Sequence, residues 1–118
     1  MLTRMKRLRV IAALAAAIAS PAVAGGASNF TLVNGTGAAI ADLSIRRTGS
    51  NDWRPLGTAP SAGARASMSF SDPDCAFDIR ATVSGTGQVT WAGVNLCAVK
   101  SVTLNRDRSA GAWVDYDR

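Results

Sequence analysis

The chain reads as all-β, an immunoglobulin-like antiparallel sandwich of about seven short strands, preceded by a helical signal peptide. Three observations carry that reading. Cys75, Phe77, Ile79, Ala81 and Val83 alternate with Ala76, Asp78, Arg80 and Thr82, the period of two of a half-buried strand. Short apolar runs recur between clusters of Gly, Pro, Asn, Asp and Ser. No window after residue 24 has a helical period, so a sandwich or small barrel is the matching class.

The N-terminal segment differs from the rest. Arg4, Lys6, Arg7 and Arg9 precede an apolar run over residues 10–20. Pro21 ends the run, and Ala22-Val23-Ala24 follows as a small-x-small cleavage site. A charged start, a short apolar core and such an end define a secretory signal peptide. A run of eleven residues is too short to span a bilayer, which takes roughly 20. No Cys follows the core, so a lipoprotein anchor is not expected, and Lys6-Arg7 is a poor match for paired arginines. The expectation is a signal over residues 1–24, cleaved after Ala24, and one domain over residues 25–118. The product would be periplasmic or secreted, with no stable membrane insertion.

Cleavage changes the charge. The whole chain carries 13 Lys plus Arg against 8 acids, all of them Asp, for a formal charge of +5 and a pI of about 10.2. Taking away the four basic residues before residue 24 leaves 9 against 8, a net +1. The remaining cations are scattered among Asp residues, so the basic patch of a nucleic-acid binder is missing. There is no His, which removes Ser-His-Asp and Cys-His catalysis, His metal ligands and an imidazole switch.

The strands follow in order. Residues 30–33 form a first strand, stopped at Asn34-Gly35-Thr36-Gly37. Residues 39–47 form the second. Ile40 and Leu43 have unlike parity there, so a bulge is expected near Asp42. Ala66, Met68 and Phe70 alternate with polar residues, and Ser71-Asp72-Pro73-Asp74 reads as a turn joining that run to residues 75–83 as a hairpin. Ser84-Gly85-Thr86-Gly87 leads into residues 88–91, continued by 94–97 past Gly93. Residues 101–105 and 112–117 complete the set. Both Gly-rich turns precede strand patterns, so they read as hairpin turns and lack the helix a phosphate loop needs.

Cys75 and Cys97 are the only thiols. In an exported chain they pair, and the loop they close is worth roughly 3 kcal/mol on chain entropy. Two Cys without His cannot complete a zinc site. No cofactor is implied.

A resemblance covers most of the mature chain. Asn34-x-Thr36-Gly37-x-x-Ile40, Leu43, Asn51-Asp52-Trp53, then residues 75–81 and Val94-Asn95-Leu96-Cys97, resemble a family of small exported bacterial proteins labelled mostly by their Tat or Sec signal peptide. The chain departs from that pattern at Ser44, where an aromatic is usual, and at Asn95, where Asp is expected. The resemblance implies a secreted β-sandwich and no activity.

Candidate sites are few. The loop over residues 48–63 is long, with Trp53 and Leu56 as apolar pins. Trp53, Arg54, Leu56, Trp113 and Tyr116 are the candidate partner surface. Trp91 shares parity with Val89 and reads as core, while Trp113 or Tyr116 faces solvent. Asp72 and Asp74, with Asp78, could offer oxygen ligands to calcium if the fold brought in Asp107, Asp115 or Asp117 to complete the set, though a plain Asp turn is the preferred reading. Asp78 and Arg80 share the outward face of one strand and read as surface charges.

The leading functional expectation is a non-enzymatic exported module, binding or structural, with a protein or glycan partner at the cell envelope. The alternative is a carbohydrate- or calcium-binding module using an exposed Trp and the Asp72–Asp74 turn. An Asp-dependent hydrolase ranks last, since no Asp pair has diagnostic spacing. Mass spectrometry of the exported protein should give a chain starting at Gly25 with no free thiol. Any other start, or two alkylatable cysteines, would contradict the processing and pairing stated above.

Overall fold

The computed structural model describes residues 25–118; the signal peptide expected over 1–24 lies outside the described residues. Eight strands form two four-stranded sheets: β1 (Phe30–Gly35), β2 (Ile40–Arg47), β3 (Arg54–Pro55), β4 (Arg65–Met68), β5 (Ala76–Val83), β6 (Gly87–Asn95), β7 (Ser101–Asp107) and β8 (Gly111–Asp117). The first sheet runs β4-β1-β7-β8 and the second β3-β2-β5-β6. The extra strand is β3, two residues that Pro55 keeps extended against β2.

One core lies between the sheets. Phe30 and Leu32 of β1, Val102 and Leu104 of β7 and Met68 of β4 come from one side. Leu43 and Ile45 of β2, Phe77, Ile79, Ala81 and Val83 of β5, and Trp91 and Val94 of β6 come from the other. The alternation read in the sequence is therefore the alternation of inner and outer faces. Trp91 is buried as expected, and its indole N–H donates to the Asn105 carbonyl at 2.8 Å, linking β6 to β7. Phe70 stands edge-on to Phe30 and Phe77, with centroids 6.2 and 5.1 Å away.

Three sequence expectations are corrected. The sandwich is not wholly antiparallel, because β1 pairs with β7 in parallel. Residues 65–70 and 75–83 do not form a hairpin: β4 pairs with β1 in the first sheet, while β5 pairs with β2 and β6 in the second. Asn34-Gly35-Thr36-Gly37 is likewise a link between sheets, since β1 and β2 share no ladder. The reason is common to both. Each of these strands has one apolar face, and crossing over buries two such faces against each other. Ser84-Gly85-Thr86-Gly87 does close a hairpin, β5 to β6. The bulge near Asp42 is also present: the β2–β5 register shifts between Ala41 and Ser44, and Asp42 has φ 52°.

Crossing links need partners for their buried polar groups. Asn34, fully buried, serves two links at once. Its side-chain amide donates to the Ala38 carbonyl at 2.9 Å and the Pro60 carbonyl at 3.1 Å. Its Oδ1 accepts from the Thr36 amide at 3.1 Å and hydroxyl at 2.6 Å. At the other end of the molecule Cys75 and Cys97 form the expected disulfide, with Cα atoms 5.1 Å apart. It extends the β5–β6 ladder past Ala76 and Asn95. Buried Ala27 bridges to both Asp72 and Cys97 beside it. Such a bond persists in an oxidising compartment.

Asn34→Ala should therefore lower stability by about 2–4 kcal/mol, because two carbonyls and a hydroxyl lose buried partners. Urea unfolding monitored by Trp fluorescence checks this. An unchanged midpoint would show that Asn34 does not hold the links.

Candidate functional site

The candidate residues fall on two separate outer faces. Sheet two carries the first group. Asp78 lies on the outer side of central strand β5, yet it is 3% exposed. Its reading as a surface charge is corrected. A bulge in β6, between Trp91 and Val94, turns the Gly93 amide onto Asp78 Oδ1 at 3.0 Å. Gly93 has φ 64°, a conformation glycine adopts without strain. The Thr48 hydroxyl donates to the same oxygen at 2.8 Å, and Arg46 Nε to Oδ2 at 2.9 Å. Burial alone pushes this carboxyl upward. The Gly93 amide, the Thr48 hydroxyl and the Arg46 guanidinium outweigh it and hold the group below the usual carboxylate range.

Arg46 then continues to Trp53. Its guanidinium carbon lies 4.5 Å from the indole centroid, and that of Arg80 lies 3.9 Å from it. Trp53 itself is half-buried. Ser44 has Arg80 and Pro55 as its partners on the neighbouring strands. Leu56 is buried, with its amide bonded to the Leu43 carbonyl at 3.0 Å. It pins the loop as expected and is removed from the partner surface. Arg54 is exposed and pairs with Asp52 at 2.8 Å.

Beyond Arg46 an open cleft of about 500 Å³ joins the long loop to the Asp turn. Its lining includes Ile45, Phe70, Phe77, Arg47 and Asp72. Arg47 grips Asp72 with two bonds, at 3.0 and 3.1 Å, and reaches Asp74 at 3.2 Å. Partial desolvation opposes ionisation of Asp72, but Arg47 and the Asp74 amide outweigh it and lower its pKa. The two carboxylates thus meet a cation of the chain itself. Among the described residues no three acidic or Cys side chains gather at metal-holding distance.

Sheet one carries the second group. On β8, Ala112, Val114 and Tyr116 stand opposite Arg106, Leu104 and Val102, so Trp113, Asp115 and Asp117 point outward. Trp113 is 42% exposed, the large exposed apolar side chain of the described residues. Its cross-strand neighbour is Asn105, and those of Asp115 and Asp117 are Thr103 and Ser101. Asn105 Nδ2 donates to Asp115 Oδ2 at 2.9 Å. Gly35 lies beside Asn105 across the parallel ladder. A Cβ on Gly35 would stand 2.5 Å from Asn105 Oδ1, so only glycine leaves the amide its place. Tyr116 is half-buried: its hydroxyl accepts from the Asn95 amide at 2.9 Å, and Arg118 covers its ring at 4.8 Å. Of the two candidates, Trp113 is the free one. Asp107 takes the Ala110 and Ser109 amides, which lower its pKa and close the β7–β8 turn.

Arg46 and Asn105 were not singled out from the sequence, and Arg80 and Asp115 were given other roles, a surface charge and a possible calcium ligand. Parity with Trp113 was available for Asp115, and the other three needed the strand register.

No protein-family model matches the chain, and no curated protein matches it. A protein from Eubacterium rectale, solved by NMR, is similar in structure. Its TM-score is 0.54 at 16% sequence identity, covering 76% of this chain and 87% of that one. At that identity the likeness concerns the two-sheet β fold alone.

The Asp78 site makes a pH prediction. A lowered folded-state pKa gives stability that is complete above the unfolded value, about 3.9, and lost as pH falls through the folded one. Urea midpoints measured downward from about pH 6 should fall less steeply for Asp78→Asn than for wild type. Asp72 and Asp107, both lowered, leave the variant a residual slope. Parallel curves would show that Asp78 contributes nothing to acid unfolding.

Proposed function

We propose that the chain is an exported, non-enzymatic binding module of the bacterial cell envelope, taking a saccharide on the outer face of the β4-β1-β7-β8 sheet. The observation that carries this is the exposed indole of Trp113 beside the Asn105–Asp115 pair. An uncovered indole offers an apolar face to the C–H side of a pyranose. Asp115 has one carboxylate oxygen not engaged by Asn105, and Thr103 and Ser101 add hydroxyls along the same face. A ring that stacks and hydroxyls that bond are the two parts of sugar recognition. The carboxylates best placed for chemistry have structural partners: Asp72 takes Arg47, and Asp78 takes three donors.

The finer parts of the reading have separate support. Export to the periplasm or medium rests on residues 1–24 and fits the disulfide. Membership of the small exported family rests on the motifs around Asn34, Cys75 and Cys97. The immunoglobulin-like class rests on two four-stranded sheets sharing one core. A protein partner is the second reading. It is favoured by β8, a seven-residue edge strand whose outer backbone groups are free for strand addition.

Affinity electrophoresis through gels cast with envelope polysaccharide tests the saccharide. Wild type should be retarded. Trp113→Ala should lose roughly 30-fold in affinity, the effect of removing a contact worth about 2 kcal/mol. Asp115→Asn should lose less. Equal migration of wild type and Trp113→Ala, with unchanged circular dichroism, overturns the saccharide reading.

A further inference from the structure

The outer face of sheet two carries a second feature. Arg46, Arg47 and Arg54 each meet a carboxylate: Asp78, Asp72 and Asp52. Arg80 does not. Among the described residues no Asp lies within ion-pair distance of it, and no side-chain or backbone acceptor takes its N–H groups. The side chain is nonetheless placed. Its guanidinium carbon sits 3.9 Å from the Trp53 centroid, and the side chain is half-buried. Trp53 is fixed in turn, by Leu56 buried three residues later and by Arg46, which Asp78 holds.

A guanidinium against an indole face keeps its N–H donors in the plane of the group, pointing past the ring. The five donors of an arginine form forks that match two oxygens of a carboxylate or phosphate. Asp78, two residues before Arg80 on β5, is saturated by Gly93, Thr48 and Arg46. Asp42, at the β2 bulge, accepts from the Thr82 hydroxyl at 3.4 Å and is not within ion-pair distance of Arg80. The entropy of ordering the long side chain is already spent in the free protein.

We infer that Arg80, preorganised on Trp53, is an oxyanion-binding site that takes a phosphate or carboxylate group of a ligand. It is separate from the Trp113 face, which lies on the other sheet, and does not rest on the saccharide reading. Arg80 supplies the fork. Trp53 and Arg46 are positioning residues.

The exported protein, labelled with ¹⁵N, can be titrated with sodium phosphate and with sodium acetate, using sodium chloride at equal ionic strength as the reference. The arginine Nε–H resonances report the site directly. The Arg80 resonance should shift saturably with phosphate or acetate and not with chloride, and that of Arg46 should move less. The two arms separate a phosphate from a carboxylate preference. Arg80→Gln should abolish the accompanying shift of the Trp53 indole N–H, and Arg80→Lys should weaken it, since an ammonium keeps the charge without the fork. Trp113→Ala should leave the titration unchanged. An Arg80 resonance that drifts equally in all three salts overturns the assignment. So does a Trp53 response that survives in Arg80→Gln. If the variants fail to fold, the wild-type arginine spectrum alone decides.

Discussion

Asp78 is the carboxylate on which sheet two depends. Its strand, β5, is central and its neighbours Phe77 and Ile79 point into the core. A buried charge without partners would be costly there. The chain meets the cost with three donors from three places: the end of β2, the start of the long loop and the bulge of β6. Each donor has a second effect. Gly93 fixes where β6 shifts register. Thr48 fixes how the loop leaves β2. Arg46 is held with its guanidinium 4.5 Å from the Trp53 ring centroid. One carboxylate thereby couples strand register, loop direction and the surface around the indole.

Asn34 plays the corresponding part between the sheets. It is neutral, so its burial costs less, and its amide can both donate and accept. That is the chemistry a crossover needs, because a link leaving one sheet for another exposes carbonyls and amides in turn. The links over residues 36–39 and 56–64 pass on either side of this residue and take their bonds from it. A disulfide does equivalent work at the opposite end, where Asp72, Ala27 and Cys97 meet. The sandwich is closed by a polar side chain at one end and by a covalent bond at the other.

The local parts of this architecture could be read from residues alone. Alternation in β5 is a property of consecutive side chains, and so is the parity break at Asp42 that marks the β2 bulge. Pairing is not local. Residues 71–74 have turn composition, and a hairpin and a crossover both use such residues, so only the burial of two apolar faces decides between them. The parallel β1–β7 ladder was hidden for the same reason, and with it the meeting of Gly35 and Asn105. Outward parity was correct for Asp78 and still misled, because exposure depends on what covers a face. Parity named Trp113 as one of two exposed choices. The hydroxyl of Tyr116, bonded to the Asn95 amide, settled which.

The two outer faces end in opposite states for one physical reason, the reach of the neighbouring side chains. Trp53 lies beside Arg46 and Arg80, whose stems are long enough to bring a cation over the ring. Trp113 lies beside Asn105, Asp115 and Thr103, which are too short to cover an indole. Arg65, the cation of the same face, is on β4, at the far side of the sheet. Short polar neighbours therefore leave an apolar ring exposed beside hydrogen-bonding groups, while long cationic ones set positive charge against the ring face. An exposed indole suits a ligand with an apolar face, and an indole with arginine against it suits an anion. The division of the two faces follows from side-chain length before any ligand is considered.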